Sequence, residues 1–108
     1  MRTGNQVFVS GTTSAESGGS VFGEGDAYLQ ARRSLEIIEQ ALQQVGAELR
    51  HVVRTRMFVT DISRWEEVAR AHGDSFSDVR PAATLVQVQA LIDPRLLVEI
   101  EVDAVIDD

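Results

Sequence analysis

The side chains able to do chemistry fall on four short stretches. Val98-Glu99-Ile100-Glu101-Val102-Asp103 places a carboxylate at every second position, and Arg54-Thr55-Arg56 does the same with guanidinium groups. Val7-Phe8-Val9-Ser10-Gly11 ends in a hydroxyl and a glycine, and Arg80-Pro81-Ala82-Ala83-Thr84 opens another alternating run. A carboxylate held beside a substrate can take a proton from water. A guanidinium grips a substrate carboxylate through two parallel hydrogen bonds. Arg54 and Arg56 can equally serve as salt-bridge partners of Glu99 and Glu101. His72 is a candidate general base because histidine titrates near neutrality. As a lone histidine on an apolar helix face, it reads first as a packed, hydrogen-bonded core residue, and His51 reads as surface. With two scattered histidines and no cysteine, disulfides, thiol catalysis and a dedicated metal site are not expected, and nothing calls for a cofactor.

Strands and helices must position these groups. Period-two alternation buries one face of a strand and leaves the other. It places Val7, Val9, Val53, Thr55, Met57, Thr84, Val86, Val88, Val98, Ile100 and Val102 under the helices. Phe8, Ser10, Arg54, Arg56, Phe58, Ala83, Leu85, Gln87, Gln89, Glu99 and Glu101 fall on the opposite face. That second face is too polar for a core and too apolar for plain surface, which suits a subunit interface. Gly4-Asn5 is a hairpin turn signal with little chain before it, so the N-terminus reads as short by one or two strands, with an edge left uncovered. Thr12 to Gly25 is rich in serine, threonine and glycine and reads as a flexible loop.

Asp26 is placed to cap a helix running to about Val45 and stopping at Gly46. Tyr28, Ala31, Leu35, Ile38, Leu42 and Val45 give it one apolar stripe. Ser63-Arg64-Trp65-Glu66 has capping-box spacing and opens a second helix, on which Trp65, Val68 and His72 share a face. The order strand, helix, strand, helix, strand, strand predicts an α+β domain over residues 1–108, one mixed sheet with both helices on the same face.

The 108 residues suffice for one modest core, and 44% of them are hydrophobic. No apolar run is long enough to span a bilayer and no leader pattern opens the chain, so a cytoplasmic address is expected. Seventeen acidic against ten basic residues, all of the latter arginine, give a net charge of −7. That field opposes nucleic acid as a partner.

Gly4-Asn5-Gln6-Val7-Phe8-Val9-Ser10-Gly11, Val52 to Asp61, Arg80-Pro81-Ala82-Ala83-Thr84 and Val98-Glu99-Ile100-Glu101-Val102 occur in the order and spacing of the RidA family, also called YjgF or L-PSP proteins. The chain resembles that family along essentially its whole length. The resemblance implies the fold shared with the Bacillus-type chorismate mutase, a homotrimer, and a small-molecule site in the cleft between subunits. In the deaminases of the family, a strand reading Pro-Ala-Arg-Ser holds the carboxylate of a 2-imino acid, and the first glutamate of the last strand positions water. By resemblance, that glutamate is Glu99, and Ser10 and Gly11 line the pocket. The arginine does not carry over: Ala83 stands in its place, followed by Thr84, and the upstream aromatic residue has no counterpart. Arg56 is the candidate replacement cation. Three functions follow as expectations: hydrolysis of an imine or enamine other than the usual 2-imino acids, a catalytically inactive ligand-binding or regulatory trimer, and, opposed by charge, an endoribonuclease.

Overall fold

A computed structural model describes residues 1–107. In chain order it contains β1 (Arg2–Thr3), β2 (Gln6–Thr12), α1 (Ala27–Gln44), β3 (Val52–Val59), α2 (Trp65–Phe76), β4 (Ala82–Gln87) and β5 (Val98–Val105). The five strands form one sheet in the order β1-β2-β5-β3-β4. β3 and β4 are parallel, joined through α2, and every other neighbouring pair is antiparallel. The last strand is therefore inserted between β2 and β3, the two strands that α1 connects.

The helices begin and end for local reasons. The Asp26 side chain accepts from the Leu29 backbone N–H at 2.9 Å, satisfying a donor at the first turn of α1. Gly46, at φ 85°, takes the left-handed conformation just past its end. Before α2 the cap differs from the expected one. Asp61, not Ser63, accepts from Ser63 N–H at 3.0 Å and starts a short 3₁₀ turn, Ile62–Arg64, that leads into the helix. Trp65 then stands half exposed, and the buried face of α2 is Val68, Ala71 and Phe76. His51 is also not surface: it is buried, and its Nδ1 accepts from the Glu48 backbone N–H at 3.0 Å.

Both helices cover one face of the sheet. Ala31, Leu35, Ile38 and Leu42 of α1 and Val68, Ala71 and Phe76 of α2 share a core with Val7, Met57, Val59, Val98, Ile100, Val102 and Ala104. The sequence phase holds for β2 and β5 but fails twice elsewhere. On β3 a register irregularity between Val52 and Arg54 buries Val52 and leaves Val53 48% exposed. On β4 the parallel register pairs Thr55 with Ala83, Arg56 with Thr84, Met57 with Leu85 and Phe58 with Val86. Laterally paired residues share a face, so Ala83 and Leu85 lie on the helix side and Thr84 and Val86 on the open side. This reverses the expectation for β4, as a one-residue slip must.

The expected N-terminal hairpin is made by a very short partner. Arg2 and Thr3 pair with Val7 and Gln6 around a turn whose Gly4 has φ 61°. The Thr12–Gly25 segment is tied down rather than free. Ala15 bridges Val21, and the buried Gln30 amide donates to Gly23 O at 3.3 Å and Arg95 O at 3.0 Å while its oxygen accepts from Leu97 N–H at 2.8 Å. Arg95 adds a 2.7 Å bond to Gly19 O. These contacts clasp the loop that follows β2 to the loop that precedes β5.

Between α2 and β3, Thr55 Oγ1 lies 2.9 Å from His72 Nε2, and the imidazole tilts against Phe76 with centroids 4.8 Å apart. Burial lowers the His72 pKa from its ordinary value of 6.5. A depressed folded-state pKa means the unfolded chain takes up the proton first as pH falls, so this group's stabilisation is intact above 6.5 and drains away below it. The urea midpoint is accordingly expected to fall as the pH drops below 6.5, and His72→Gln to flatten that slope. An unchanged slope in the variant would show that other groups carry it.

Candidate functional site

The open face of the sheet carries the polar residues in rows that the strand register defines. One row runs from Glu99 on β5 to Phe58 on β3 and Val86 on β4. The next holds Glu101, Arg56 and Thr84, and a third holds Phe8, Asp103, Arg54 and Ala82. The charged side chains of β5 and β3 thus confront one another, as cross-strand neighbours about 5 Å apart do.

Only part of this array is ion-paired. Arg56 Nη1 lies 3.3 Å from Glu101 Oε1 and 3.4 Å from Asp103 Oδ2. Both acids are on its own face, so the guanidinium is held toward the lower rows and away from Glu99. Arg54 and Glu99 have no hydrogen-bond or ion-pair partner among the described residues. The expected pairing is therefore resolved in one direction: Arg56 is a partner of Glu101 and Asp103, and Glu99 is left over.

Glu99 meets β2 instead. Val9 pairs with Val102 and Thr12 with Ile100, so Ser10 and Gly11 together span the distance that Glu101 spans alone. The strand bulges there, and bulges re-aim neighbouring groups next to functional sites. A Cβ built on Gly11 would overlap the Glu99 carboxylate, whose Cδ it would reach at 2.8 Å. The glycine is what lets the half-buried carboxylate lie across β2. Ser10 is exposed, and its carbonyl accepts from Thr12 Oγ1 at 2.9 Å.

The sequence-predicted residues thus form separate groups within one chain. Ser10, Gly11 and Glu99 come together on the open face. Arg56 and Thr84 are lateral neighbours on that face, one row below. Ala83 is on the helix side, beside Thr55, which bonds to His72. Arg56 and Ala83 therefore lie on opposite faces of the sheet within one chain. Ala83 is three residue steps and two strands from Glu99, roughly 10 Å along and 10 Å across the sheet. One chain alone cannot close a small ligand between them.

An open depression of about 470 Å³ lies against Met1, Phe8, Ser10, Glu101 and Asp103. It reaches the bulge but not Glu99, so the chemistry-bearing acid sits at its margin. Among the described residues no group of three or more histidines, aspartates or glutamates is arranged to hold a metal, and no helix is long and apolar enough to cross a membrane. Sequence reasoning passed over Gln30, whose contacts fasten the loops at either end of the Gly11–Glu99 contact. Its signal was an amide on the buried phase of α1, between Ala27 and Ser34.

A mixed five-stranded sheet with two helices on one face, carrying a Ser-Gly bulge against a strand glutamate, defines the class. The chain belongs to the family described as Endoribonuclease L-PSP, whose sequence model matches residues 1–106. It is 40% identical over 101 residues to an uncharacterised Streptomyces coelicolor protein, covering 94% of this chain and 75% of that one. To the 3-aminoacrylate deaminase RutC of Acinetobacter baylyi it is 33% identical over 96 residues, covering 89% and 75% respectively. Among solved structures, a Mycobacterium tuberculosis member of the YjgF/YER057c/UK114 family superposes with a TM-score of 0.87 at 48% identity, covering 97% of this chain and 82% of that one.

Because the atoms nearest to a Gly11 Cβ are the far end of a flexible side chain, Gly11→Ala is expected to cost at most about 1 kcal/mol of stability. It should nonetheless turn the Glu99 carboxylate off β2, which a crystal structure of the variant reads directly. An unmoved Glu99 with a much larger stability loss would place the constraint in the backbone instead.

Proposed function

We propose that the chain is a homotrimeric small-molecule enzyme that hydrolyses an imine or enamine in a cleft between subunits, with Glu99 as the base that activates water. The observation that carries this reading is the unpaired Glu99 carboxylate laid against Gly11 while the neighbouring arginine is occupied by Glu101 and Asp103. An acid with a counter-ion would be a structural partner; one without is free to exchange protons.

The separation of Ala83 from Glu99 supports placing the site between chains. Position 83 serves a ligand at Glu99 only if one protomer's β4 meets another's β5. The deaminase activity named for the Acinetobacter relative supports the reaction class. In the reaction, Glu99 removes a proton from water as the oxygen bonds to the imine carbon, and returns it to nitrogen so that the carbon–nitrogen bond can break. The usual 2-imino acids are poor candidates, because alanine at position 83 offers nothing to a carboxylate. An inactive binding trimer uses the same cleft without the proton transfer. An RNA-cleaving reading draws on the family's description alone, and a net charge of −7 repels a phosphate backbone.

Two variants test this. Glu99→Gln is expected to lower kcat for imine hydrolysis by roughly 10²-fold or more, the usual weight of a general base, measured as ammonia release from imines generated in situ by amine and amino-acid oxidases. Activity surviving unchanged in Glu99→Gln would sink the mechanism and leave the binding trimer. Ala83→Arg is expected to raise turnover of 2-iminobutanoate by roughly 10- to 100-fold, the worth of one charge-assisted hydrogen bond. If the added arginine brings nothing, position 83 does not face Glu99 across an interface.

A further inference from the structure

We infer that the site at Glu99 takes a cation: an organic ammonium or iminium group without a carboxylate, carrying an aromatic or branched apolar substituent. This rests on the reading of Glu99 as the centre of a small-molecule site and specifies what that site accepts.

The argument comes from the composition of Glu99's row. Across the sheet the row reads Gly11, Glu99, Phe58, Val86. Gly11 joins it from the bulge, with the Ser10 hydroxyl one residue away, and the row holds one carboxylate and no cation. Phe58 sits beside the acid on the open face and Val86 one strand further on; Phe58 is half-buried and Val86 is 42% exposed. They offer an aromatic ring and a branched aliphatic surface next to a negative charge. An alkylammonium or iminium ion satisfies both at once: its charge meets the carboxylate and its substituent covers the ring, whose face also attracts cations.

An anionic ligand meets the opposite conditions. The nearest guanidinium on that face, Arg56, is already bound by Glu101 at 3.3 Å and Asp103 at 3.4 Å, and releasing it would strand two carboxylates. Arg54 lies four residues from Phe58 along β3, roughly 13 Å away. A carboxylate placed beside Glu99 would therefore be repelled with no unpaired cation of the same protomer in that row or the next. The chain's net charge of −7 adds a field of the same sign, which draws cations toward the face. The glycine at position 11 leaves the β2 side of the carboxylate clear of side-chain atoms, so the ligand's nitrogen can approach over the bulge.

The chemistry balances without a further reactant. An iminium ion and water give a carbonyl compound and ammonium. The water oxygen bonds to carbon as Glu99 takes one of its protons, and the carbon–nitrogen π pair moves to nitrogen. Glu99 then returns the proton to that nitrogen, and the carbon–nitrogen bond breaks with its electron pair leaving on ammonia. The remaining hydroxyl becomes the carbonyl, and its proton ends on ammonia as ammonium. Nothing is oxidised or reduced, and the substrate's positive charge leaves with the ammonium.

The test is a binding comparison that does not depend on turnover. Phenethylammonium and 3-phenylpropanoate, similar in shape and opposite in charge, are titrated into the native protein and followed by NMR and calorimetry. Phenethylammonium is expected to bind at least tenfold more tightly, with shifts at Gly11, Phe58 and Glu99. Glu99→Gln is expected to erase the preference while the oligomer and its melting temperature stay as they were. Phe58→Ala should weaken the cation while leaving its preference over the anion. Tighter binding of 3-phenylpropanoate overturns the charge assignment and leaves the small-molecule site standing. Absence of binding by either probe overturns the inference, as it would if another copy of the chain buried this row. Glu99-dependent imine hydrolysis persisting in that case would still uphold the proposed function.

Discussion

The strand that the rest of the molecule depends on is β5. It arrives last in sequence and enters the middle of the sheet, between the two strands joined by α1. A central strand must satisfy neighbours on both edges and both faces, and strict alternation of valine, isoleucine and alanine with acids does so. Val98, Ile100, Val102 and Ala104 are at most 1% exposed beneath the helices. Burying a side chain of this kind stabilises by about 1.5 to 3 kcal/mol. Register error here is therefore heavily penalised, because a one-residue slip would bury three carboxylates. The same constraint delivers Glu99, Glu101 and Asp103 to the other face in a fixed row order.

From that order follows the electrostatic character of the open face. β3 brings two arginines against three acids, so the charges of these two strands do not balance. Arg56 bridges the two lower acids through the single nitrogen Nη1. With both partners only partly buried, the bridge adds little to stability in water. Its consequence is distributional: it shares one positive charge between Glu101 and Asp103 and leaves Glu99 alone beside the bulge. An unpaired acid is tolerable because it is half exposed and solvated rather than buried.

Much of this could be read from the sequence, and the failures have identifiable physics. The phases of β2 and β5 were legible because one set of alternating positions is apolar and the other polar. On β4 both sets, Ala83 with Leu85 and Thr84 with Val86, are compatible with burial, so the pattern has no preferred phase. Only the parallel register against β3 chooses, matching Leu85 to Met57. Val52 and Val53 are chemically identical, and nothing in the pair announces which one a bulge will expel. The contact of Gly11 with Glu99 joins distant parts of the chain, and it was reachable only through the family resemblance. His51 looked like surface because its backbone partner, the Glu48 N–H, is a local capping interaction without a hydrophobic signal.

The misplaced phase of β4 changes what the substitution at position 83 means. On the open face, an alanine there would have been a simple loss of charge on Glu99's side of the sheet, and Arg56 on the adjacent strand could have answered it. On the helix side, position 83 belongs to a different surface of the protomer, next to Thr55 and the half-buried His72. No motion of Arg56 within its own chain reaches that surface, since the sheet itself stands between. Any coupling of positions 83 and 99 in ligand binding is then a property of assembly. The charges at the two positions are set by different strands, β4 for position 83 and β5 for Glu99. Within one protomer, position 83 carries no charge and the open face keeps the Glu99 carboxylate without a counter-ion.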